Sequence, residues 1–188
     1  LYVGRLQTHP AGYGFVTPER PLDSGADIYI SGPHLNEAMH GDRVMARIVG
    51  QDRRGRDEAV IVEVLERKHA TIVGRLQREH DVLFLVPSDR RISHQVLVPE
   101  KEAHGAQPGQ VVTVELLTHP SVDLRDDYTP PVGRIAEIVG NATDPGIEIE
   151  IALRKHELPF EFSPGATAQA AKRSSSSPRL PLVIAPIG

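Results

Sequence analysis

Val3-Gly4-Arg5-Leu6-Gln7 occurs a second time, unchanged, as Val73-Gly74-Arg75-Leu76-Gln77. Two copies are too few for a solenoid, which needs at least about three repeats. The repetition therefore predicts two tandem copies of one small domain, residues 1–68 and residues 69–140. Other matches keep the same order about 70 residues apart: Ile28-Tyr29-Ile30 with Val96-Leu97-Val98, and Gly41-Asp42-Arg43-Val44 with Gly109-Gln110-Val111-Val112.

Each copy has a β pattern. Short alternating apolar runs separated by turn formers predict five strands in the first copy, with one helix-like stretch, Pro33–His40, ended by Gly41. A five-stranded sheet this short cannot cover both faces when open, so a closed barrel is expected, and the OB-fold is the commonest such barrel. The predicted class is all-β: two tandem five-stranded OB-fold barrels with a short helical or irregular C-terminal extension.

The repeat ends near residue 140. Residues 141–162 form a predicted connector, in which residues 147–158 fit a strand or a helix equally. Residues 163–188 are rich in Ser, Ala and Pro and predict a flexible tail.

Composition excludes several classes of protein. The absence of Cys rules out disulfides, cysteine zinc sites and a thiol nucleophile. No apolar run approaches the roughly 18 residues of a membrane span. With 21 Lys and Arg against 25 Asp and Glu, the net charge is −4, so any nucleic-acid binding must come from a local patch.

The aromatic residues of the first copy are the clearest local signal. Tyr13 and Phe15 lie two residues apart on a predicted strand and share one face, and Tyr29 lies on a nearby strand. Outward rings would stack unpaired bases. The alternative is that all three belong to the barrel core. The outward interpretation is favoured because the opposite parity supplies an aliphatic interior: Val3, Val16, Ile28 and Ile30.

Arginines of the first copy are candidate phosphate contacts. The candidates are Arg5, Arg43, Arg47, Arg53, Arg54 and Arg56. For the last three the alternative is a solvated hairpin tip, paired with the neighbouring Asp52, Asp57 and Glu58.

These motifs resemble the N-terminal part of the bacterial RNase R family of 3′→5′ exoribonucleases. The resemblance covers residues 1 to about 162 and rests on ordered motifs: Gly12-Tyr13-Gly14-Phe15-Val16, Asp27-Ile28-Tyr29-Ile30, His40-Gly41-Asp42-Arg43-Val44, Val132-Gly133-Arg134-Ile135 and Ile151-Ala152-Leu153-Arg154-Lys155-His156-Glu157-Leu158-Pro159. It implies two cold-shock OB domains that load and open structured RNA, with Tyr13, Phe15 and Tyr29 as base-stacking residues.

The second copy keeps less of this pattern. Phe84 is its one matching ring, and Leu97 stands where the first copy has Tyr29. The expected contributors to RNA binding are Phe84, Arg75, Arg78, Arg90 and Arg91; for the arginines, an ordinary solvent-facing role is the alternative.

No catalytic or metal-ligating residue is predicted. The resemblance implies a Mg²⁺-binding aspartate cluster only in a catalytic domain beyond residue 188, so no cofactor is expected in this segment. The acidic stretch Asp123–Asp127 is predicted to be a solvated loop rather than a metal site. The nine histidines lack ligand spacing and are expected at surface or turn positions.

The predicted function is a single-stranded RNA-binding module of an RNase R-like exoribonuclease, inactive alone. The alternative is a free-standing cold-shock-like RNA chaperone or protein-interaction module. The expected partner is RNA, mainly single-stranded, with DNA left open because stacking ignores the sugar. A cytoplasmic monomer without membrane contact is expected, and the missing initiator Met suggests a fragment.

Overall fold

The first five strands close into a barrel in the computed structural model, which describes residues 1–123, 125 and 127–156. The strand order around the barrel is β1-β2-β3-β5-β4. Strands β3 and β5 run parallel, and the other neighbours are antiparallel. Their bounds are β1 (Tyr2–Thr8), β2 (Gly14–Pro18), β3 (Ile28–Ile30), β4 (Arg43–Gln51) and β5 (Asp57–Glu66).

A second barrel repeats this arrangement in the order β12-β8-β7-β6-β9, with β10 and β11 forming a separate two-stranded hairpin. The prediction of two five-stranded barrels with a short helical extension is confirmed. The predicted tail, residues 163–188, lies outside the described residues. The bounds are β6 (Thr71–Glu79), β7 (Val82–Pro87), β8 (Val96–Val98), β9 (Gln110–Thr118), β10 (Ser121–Val122), β11 (Tyr128–Thr129), β12 (Val132–Asn141) and α1 (Ile147–Lys155).

The helix-like stretch between β3 and β4 is shorter than predicted. Only Gly32–His34 forms a 3₁₀ turn, and the residues after it are irregular or in turns. Asn36 interrupts the helix because it adopts a left-handed conformation, with φ at 53°, and its side-chain amide donates to the Ile61 carbonyl in β5. No helix of the described residues is long and apolar enough to cross a membrane.

Strand alternation separates core from surface. Of the four aliphatic residues predicted to form the interior of the first barrel, three are in the core. Val16, Ile28 and Ile30 are fully buried. The prediction for Val3 was wrong: Val3 is only half-buried, because Gly4 and Leu6 supply the inward positions of β1. Its counterpart Val73 is buried for a different reason: it packs with Ile147 of α1, and the first barrel carries no such helix.

The glycine of the repeated Val-Gly-Arg motif lets two strands approach closely. Gly4 pairs with Pro18, and Gly74 pairs with Pro87. A Cβ atom on Gly4 would run into the Thr17 carbonyl oxygen, closer than real Cβ contacts allow. The same clash would occur between Gly74 and Val86. Both barrels therefore need glycine here for steric reasons.

Gly4→Ala is expected to destabilise the protein by about 1–3 kcal/mol, because backbone must move to admit the methyl group. Urea unfolding measures the change. Gly50→Ala is the matched control, since a Cβ on Gly50 meets nothing within 4 Å; it should be near neutral. Equal unfolding midpoints for the two variants would contradict the steric explanation.

A buried carboxylate joins the two barrels. Asp42 is completely buried and accepts backbone N–H groups from Met39 at 2.9 Å and Lys68 at 2.9 Å. The Arg67 guanidinium pairs with it at 3.0 Å and also donates to Pro120 O, next to the second barrel. One carboxylate thus fixes the segment that leaves the first barrel, and Arg67, which it holds, extends the network to Pro120.

Side chains of the first barrel also pack directly against the second. Met39, 2% exposed, belongs to the hydrophobic core that the second barrel builds around Leu76 and Leu85. The Thr8 hydroxyl donates to Arg91 O at 2.6 Å, and His94 Nε2 lies 3.4 Å from Ala38 O. The barrels therefore share a packed junction.

His40 lies in a turn, one of the two positions expected of the histidines, but it is buried at this junction. Its Nδ1 accepts the Thr8 N–H at 3.1 Å, so the ring must be neutral with its proton on Nε2. Burial, reinforced by the charge of Arg91, lowers the pKa of His40; burial also lowers the pKa of His94.

The free energy of unfolding is expected to fall between about pH 7 and about pH 5.5, because the unfolded chain takes up protons at the ordinary histidine pKa while folded His40 and His94 resist protonation. Their contribution is complete above the unfolded pKa of 6.5 and is lost as the pH falls below it. Urea titrations at both pH values measure the change.

His40→Asn keeps an acceptor near Thr8 but does not titrate, so it should show a smaller loss over the same interval. His104→Asn, at an exposed position, is the control. An unchanged pH dependence in His40→Asn would contradict this assignment.

Candidate nucleic-acid interface

Three rings of the first barrel form one outward-facing cluster. Phe15 of β2 is the cross-strand partner of Tyr29 of β3, and their ring centroids are 5.7 Å apart. Tyr13, just before β2, lies 5.9 Å from Phe15 and 6.0 Å from Tyr29. All three are half-buried, while their sequence neighbours Gly14, Val16, Ile28 and Ile30 point inward. The prediction that these rings lie outside the core is confirmed.

His9 extends the cluster and was missed from the sequence. Its ring stacks on Tyr13 at 4.7 Å with an interplanar angle of 8°. The β1–β2 turn enforces this position: the His9 N–H donates to Tyr13 O, and the Ala11 N–H donates to His9 Nδ1. The only available signal was the turn sequence Pro10-Ala11-Gly12 between two predicted strands.

Arg56 covers the other side of the ring cluster. Its guanidinium carbon lies 4.6 Å from the centroid of Tyr29 and 5.4 Å from that of Phe15. Such contacts between a guanidinium and an aromatic face are attractive. Arg56 was predicted to steer phosphates, whereas the structure places its guanidinium group close to the two rings.

Asp52 holds Arg56 in this position. Its carboxylate accepts the Arg56 side chain at 2.6 and 2.7 Å and the backbone N–H groups of Arg54 and Arg56 at 2.8 and 2.9 Å. Although burial acts to raise the pKa of Asp52, these donors lower it below its usual value. The paired-charge interpretation of the hairpin is therefore correct for Arg56.

The remaining arginines of the first barrel are dispersed. Arg53 and Arg54 lie at the exposed β4–β5 tip, where their side chains make no ion pair among the described residues. Arg5 pairs in register with Thr17, two residues along β2 from Phe15. Arg47 is exposed on β4, a strand that adjoins neither β2 nor β3.

Arg43 is committed to an ion-pair cluster. Its guanidinium contacts Glu19 at 2.6 Å and Glu66 at 3.2 Å. The hydrogen bond to Arg43 lowers the pKa of Glu19, and the same bond raises that of Arg43. The structure therefore does not bring Arg43 to the rings.

On the equivalent face of the second barrel, one ring takes the place of the three-ring cluster. Phe84 of β7 is half-buried opposite Leu97 of β8, as the repeat predicts. Arg75 is exposed on β6 and pairs in register with Val86, two residues along β7 from Phe84, and Arg90 is exposed in the loop after β7. Arg78 is paired with Glu100 at 3.0 Å.

Arg91 is fixed at the barrel junction by Asp89, 2.9 Å away. Burial acts to raise the pKa of Asp89, but hydrogen bonds from Arg91, with the charges of Arg91 and Lys155, lower it to about 2. Arg91 is thus engaged in an intramolecular ion pair with Asp89.

The acidic loop between β10 and β11 forms a backbone turn. Asp123 accepts the N–H groups of Arg125 and Asp127 at 2.8 and 3.0 Å. Asp126 lies outside the described residues. In the described part of the chain, no group of three His, Asp or Glu side chains is placed to hold a metal ion.

Two closed five-stranded barrels define a tandem OB-fold protein of the cold-shock type. In the first barrel the ring cluster lies on the face of β2 and β3, and Arg56 of the β4–β5 hairpin lies over it. The Ribonuclease B OB domain matches residues 4–64, and the Cold shock domain matches residues 84–163. The chain matches the N-terminal OB and cold-shock region of ribonuclease R.

Individual relatives agree with this assignment. Ribonuclease R of Acidithiobacillus ferrooxidans is 37% identical over 180 residues, 95% of this chain and 39% of that protein. Ribonuclease R of Escherichia coli (strain K12) is 40% identical over 171 residues, 91% of this chain and 20% of that protein. The chain thus spans well under half the length of these relatives.

The fold also matches a solved structure, Mycoplasma genitalium RNase R in complex with ribose methylated single-stranded RNA. The TM-score is 0.70 at 18% sequence identity, over 90% of this chain and 26% of that one.

Asp52→Ala is expected to release Arg56 from the rings, because only that carboxylate anchors the guanidinium among the described residues. NMR measures this: side-chain protons of Arg56 held against Tyr29 are shielded by its ring current, and they should move towards ordinary arginine shifts. Asp57→Ala is the control, since among the described residues the Asp57 carboxylate accepts a hydrogen bond from the Gln51 side chain alone, at 3.4 Å. Retained shielding in Asp52→Ala would contradict the anchoring role.

Proposed function

We propose that this chain is a single-stranded RNA-binding module, and that its first barrel supplies the main base-stacking surface. Tyr13, Phe15 and Tyr29 would stack bases, and each stacked base contributes about 1–3 kcal/mol. The observation that carries the proposal is the outward ring cluster on β2 and β3, the face that OB-folds use for oligonucleotides.

The contacts of Arg56 support stacking over simple phosphate attraction. The Arg56 guanidinium, 4.6 Å from the centroid of Tyr29 and 5.4 Å from that of Phe15, occupies a place where a base would contact the rings. RNA would either displace Arg56 from the rings or stack a base on its outer side. Arg53 and Arg54, at the exposed tip of the same hairpin, would contact phosphates, as would Arg5 beside the rings.

The second barrel would contribute less to stacking and more to backbone contact. Phe84 offers one ring, and Leu97 replaces the tyrosine of the first barrel. Arg75 and Arg90 are exposed and would attract phosphates, while Arg47 lies on a strand away from both faces. The ion pairs of Arg43, Arg78 and Arg91 make these three the weakest candidates.

The parent protein would be an RNase R-like 3′→5′ exoribonuclease. The support is the identity of 37–40% to ribonuclease R over most of this chain. In such a protein this region would load RNA and help to open structured RNA, while Mg²⁺-dependent hydrolysis would belong to a catalytic domain outside this segment. The segment would act as a monomer in the cytoplasm and have no hydrolytic activity of its own.

Replacing Tyr13, Phe15 and Tyr29 one at a time by Leu should weaken binding of a single-stranded RNA oligomer by about 5- to 150-fold per lost base contact. Leucine keeps apolar cover over the barrel but has no π-face. Fluorescence anisotropy with labelled RNA measures the dissociation constant, and a DNA oligomer of the same sequence tests the tolerance for the sugar.

Phe84→Leu is the matched control in the second barrel and should cost less than Phe15→Leu. Urea unfolding of each variant verifies that the barrels persist. Unchanged RNA affinity in all three first-barrel variants would refute the stacking assignment. RNA loss on incubation of the purified segment with Mg²⁺ would refute its proposed lack of activity.

A further inference from the structure

One corner of each barrel is built on the same backbone but carries different charges. In the first barrel, Arg5 pairs in register with Arg43, and the residue after β2 is Glu19, whose N–H donates to Val3 O. In the second barrel, Arg75 pairs in register with Val111, and the residue after β7 is Ser88, whose N–H donates to Val73 O. Glu19 and Ser88 therefore occupy equivalent positions, as do Arg43 and Val111.

Because Ser88 stands where the first barrel has Glu19, the second corner lacks the carboxylate that neutralises the first corner. Glu19 contacts Arg43 at 2.6 Å, and the neighbouring Arg5 also lowers its pKa by charge. At the second corner a serine replaces that acid. Arg75 is exposed there, and among the described residues its side chain makes no ion pair.

Helix α1 adds a second cation at this corner. Ile147 packs against Val73 and Val111, and Arg154 bonds Glu137 at 2.7 Å, so the helix is held firmly on the barrel. Glu148, Ile151 and Lys155 share one helix flank by their spacing. Together with Arg75 and Ser88, this flank lines a cleft of about 230 Å³.

The charge balance of the cleft favours an anion. Arg75 and Lys155 contribute two positive charges, and the exposed Glu148 contributes one negative charge. Asp89 is close enough for Lys155 to influence its pKa, but its carboxylate is bonded to Arg91. The Ser88 hydroxyl, for which the described residues supply no hydrogen-bond partner, is a free donor beside the two cations.

We propose that the cleft formed by Arg75, Ser88 and Lys155 is a phosphate-binding site of the second barrel. A phosphate would accept hydrogen bonds from the guanidinium, the hydroxyl and the ammonium group. The site lies at the opposite end of β6 and β7 from their hairpin, and neither Lys155 nor Ser88 was a predicted binding residue. The phosphate comes from an RNA backbone, which rests on the proposed function, or from a free anion.

Ser88→Glu tests the site by restoring the carboxylate of the first barrel. With a labelled single-stranded RNA at several KCl concentrations, this variant should bind about 3- to 10-fold more weakly at low salt. Its plot of log affinity against log salt should be shallower by about 0.7, the value for one lost phosphate contact on a single strand. Ser88→Gln has the same length without charge and should stay close to the unaltered protein.

Lys155→Ala provides a second variant that leaves β6 and β7 untouched, and it should also reduce the salt slope. Lys101→Ala removes an identical charge from an exposed position outside the cleft and is its control. If Ser88→Glu and Lys155→Ala both keep the slope and affinity while Tyr29→Leu loses affinity, the cleft proposal fails and the RNA-binding proposal stands. If Ser88→Glu and Lys155→Ala both lose affinity and salt slope while Tyr29→Leu keeps its affinity, the result supports the cleft and overturns the stacking assignment.

An NMR titration with inorganic phosphate at constant ionic strength separates the two sources. Shifts of the Ser88 and Arg75 amides with phosphate, absent in Ser88→Glu, support a site for free anions even if the protein binds no RNA. Shifts with RNA alone support a backbone site. No shift with either ligand overturns the proposal.

Discussion

The buried carboxylate of Asp42 is the interaction on which the arrangement of the two barrels depends. Removing a charge from water is costly unless donors replace the water, and here two backbone N–H groups and the Arg67 guanidinium do so. All three donors belong to residues 1–68, so the carboxylate fixes the segment that leaves the first barrel, and Arg67, which it holds, donates on to Pro120 O beside the second barrel. Met39, inserted into the second core, adds hydrophobic burial to the same junction. Any ligand that contacts both barrels therefore meets a preformed surface.

The aromatic surface of the first barrel is also preformed, but it is not bare. His9 stacks on Tyr13 at one end, and Arg56 lies over Tyr29 and Phe15 at the other. These neighbours shield part of each ring from water while leaving the cluster outside the core. Under the proposed function, nucleobases would take the place of these neighbours with little rearrangement of the backbone. Asp52 holds Arg56 beside the rings, because it bonds both the side chain and the backbone of that residue.

The two copies keep buried apolar residues at their inward positions and keep several backbone hydrogen bonds, and they differ mainly on the outside. Gly41 donates to Leu6 O as Gly109 donates to Leu76 O. Asp42 accepts the Met39 N–H as Gln110 accepts the Gln107 N–H, so an amide performs the same local task where no junction requires a charge. Outward residues do not fill the core and can change at little cost in stability. The outward residues accordingly form a ring cluster and a neutralised corner in the first barrel. In the second barrel they form a face with one ring and a cleft lined by Arg75 and Lys155.

The sequence alone determined the repeat, the strands, the closed barrels and the outward parity of Tyr13, Phe15 and Tyr29, because alternation and turn residues act over a few neighbouring positions. It wrongly predicted that Val3 faces the core, because the inward positions of β1 are shifted by one residue to Gly4 and Leu6. It also predicted a longer helix over Pro33–His40, because the left-handed conformation of Asn36 interrupts the helix. Only the tertiary structure brought Arg56 onto the rings, buried His40 and carried Lys155 to Arg75. Those contacts join residues far apart in the chain, and their geometry depends on barrel closure and docking, which no local pattern encodes.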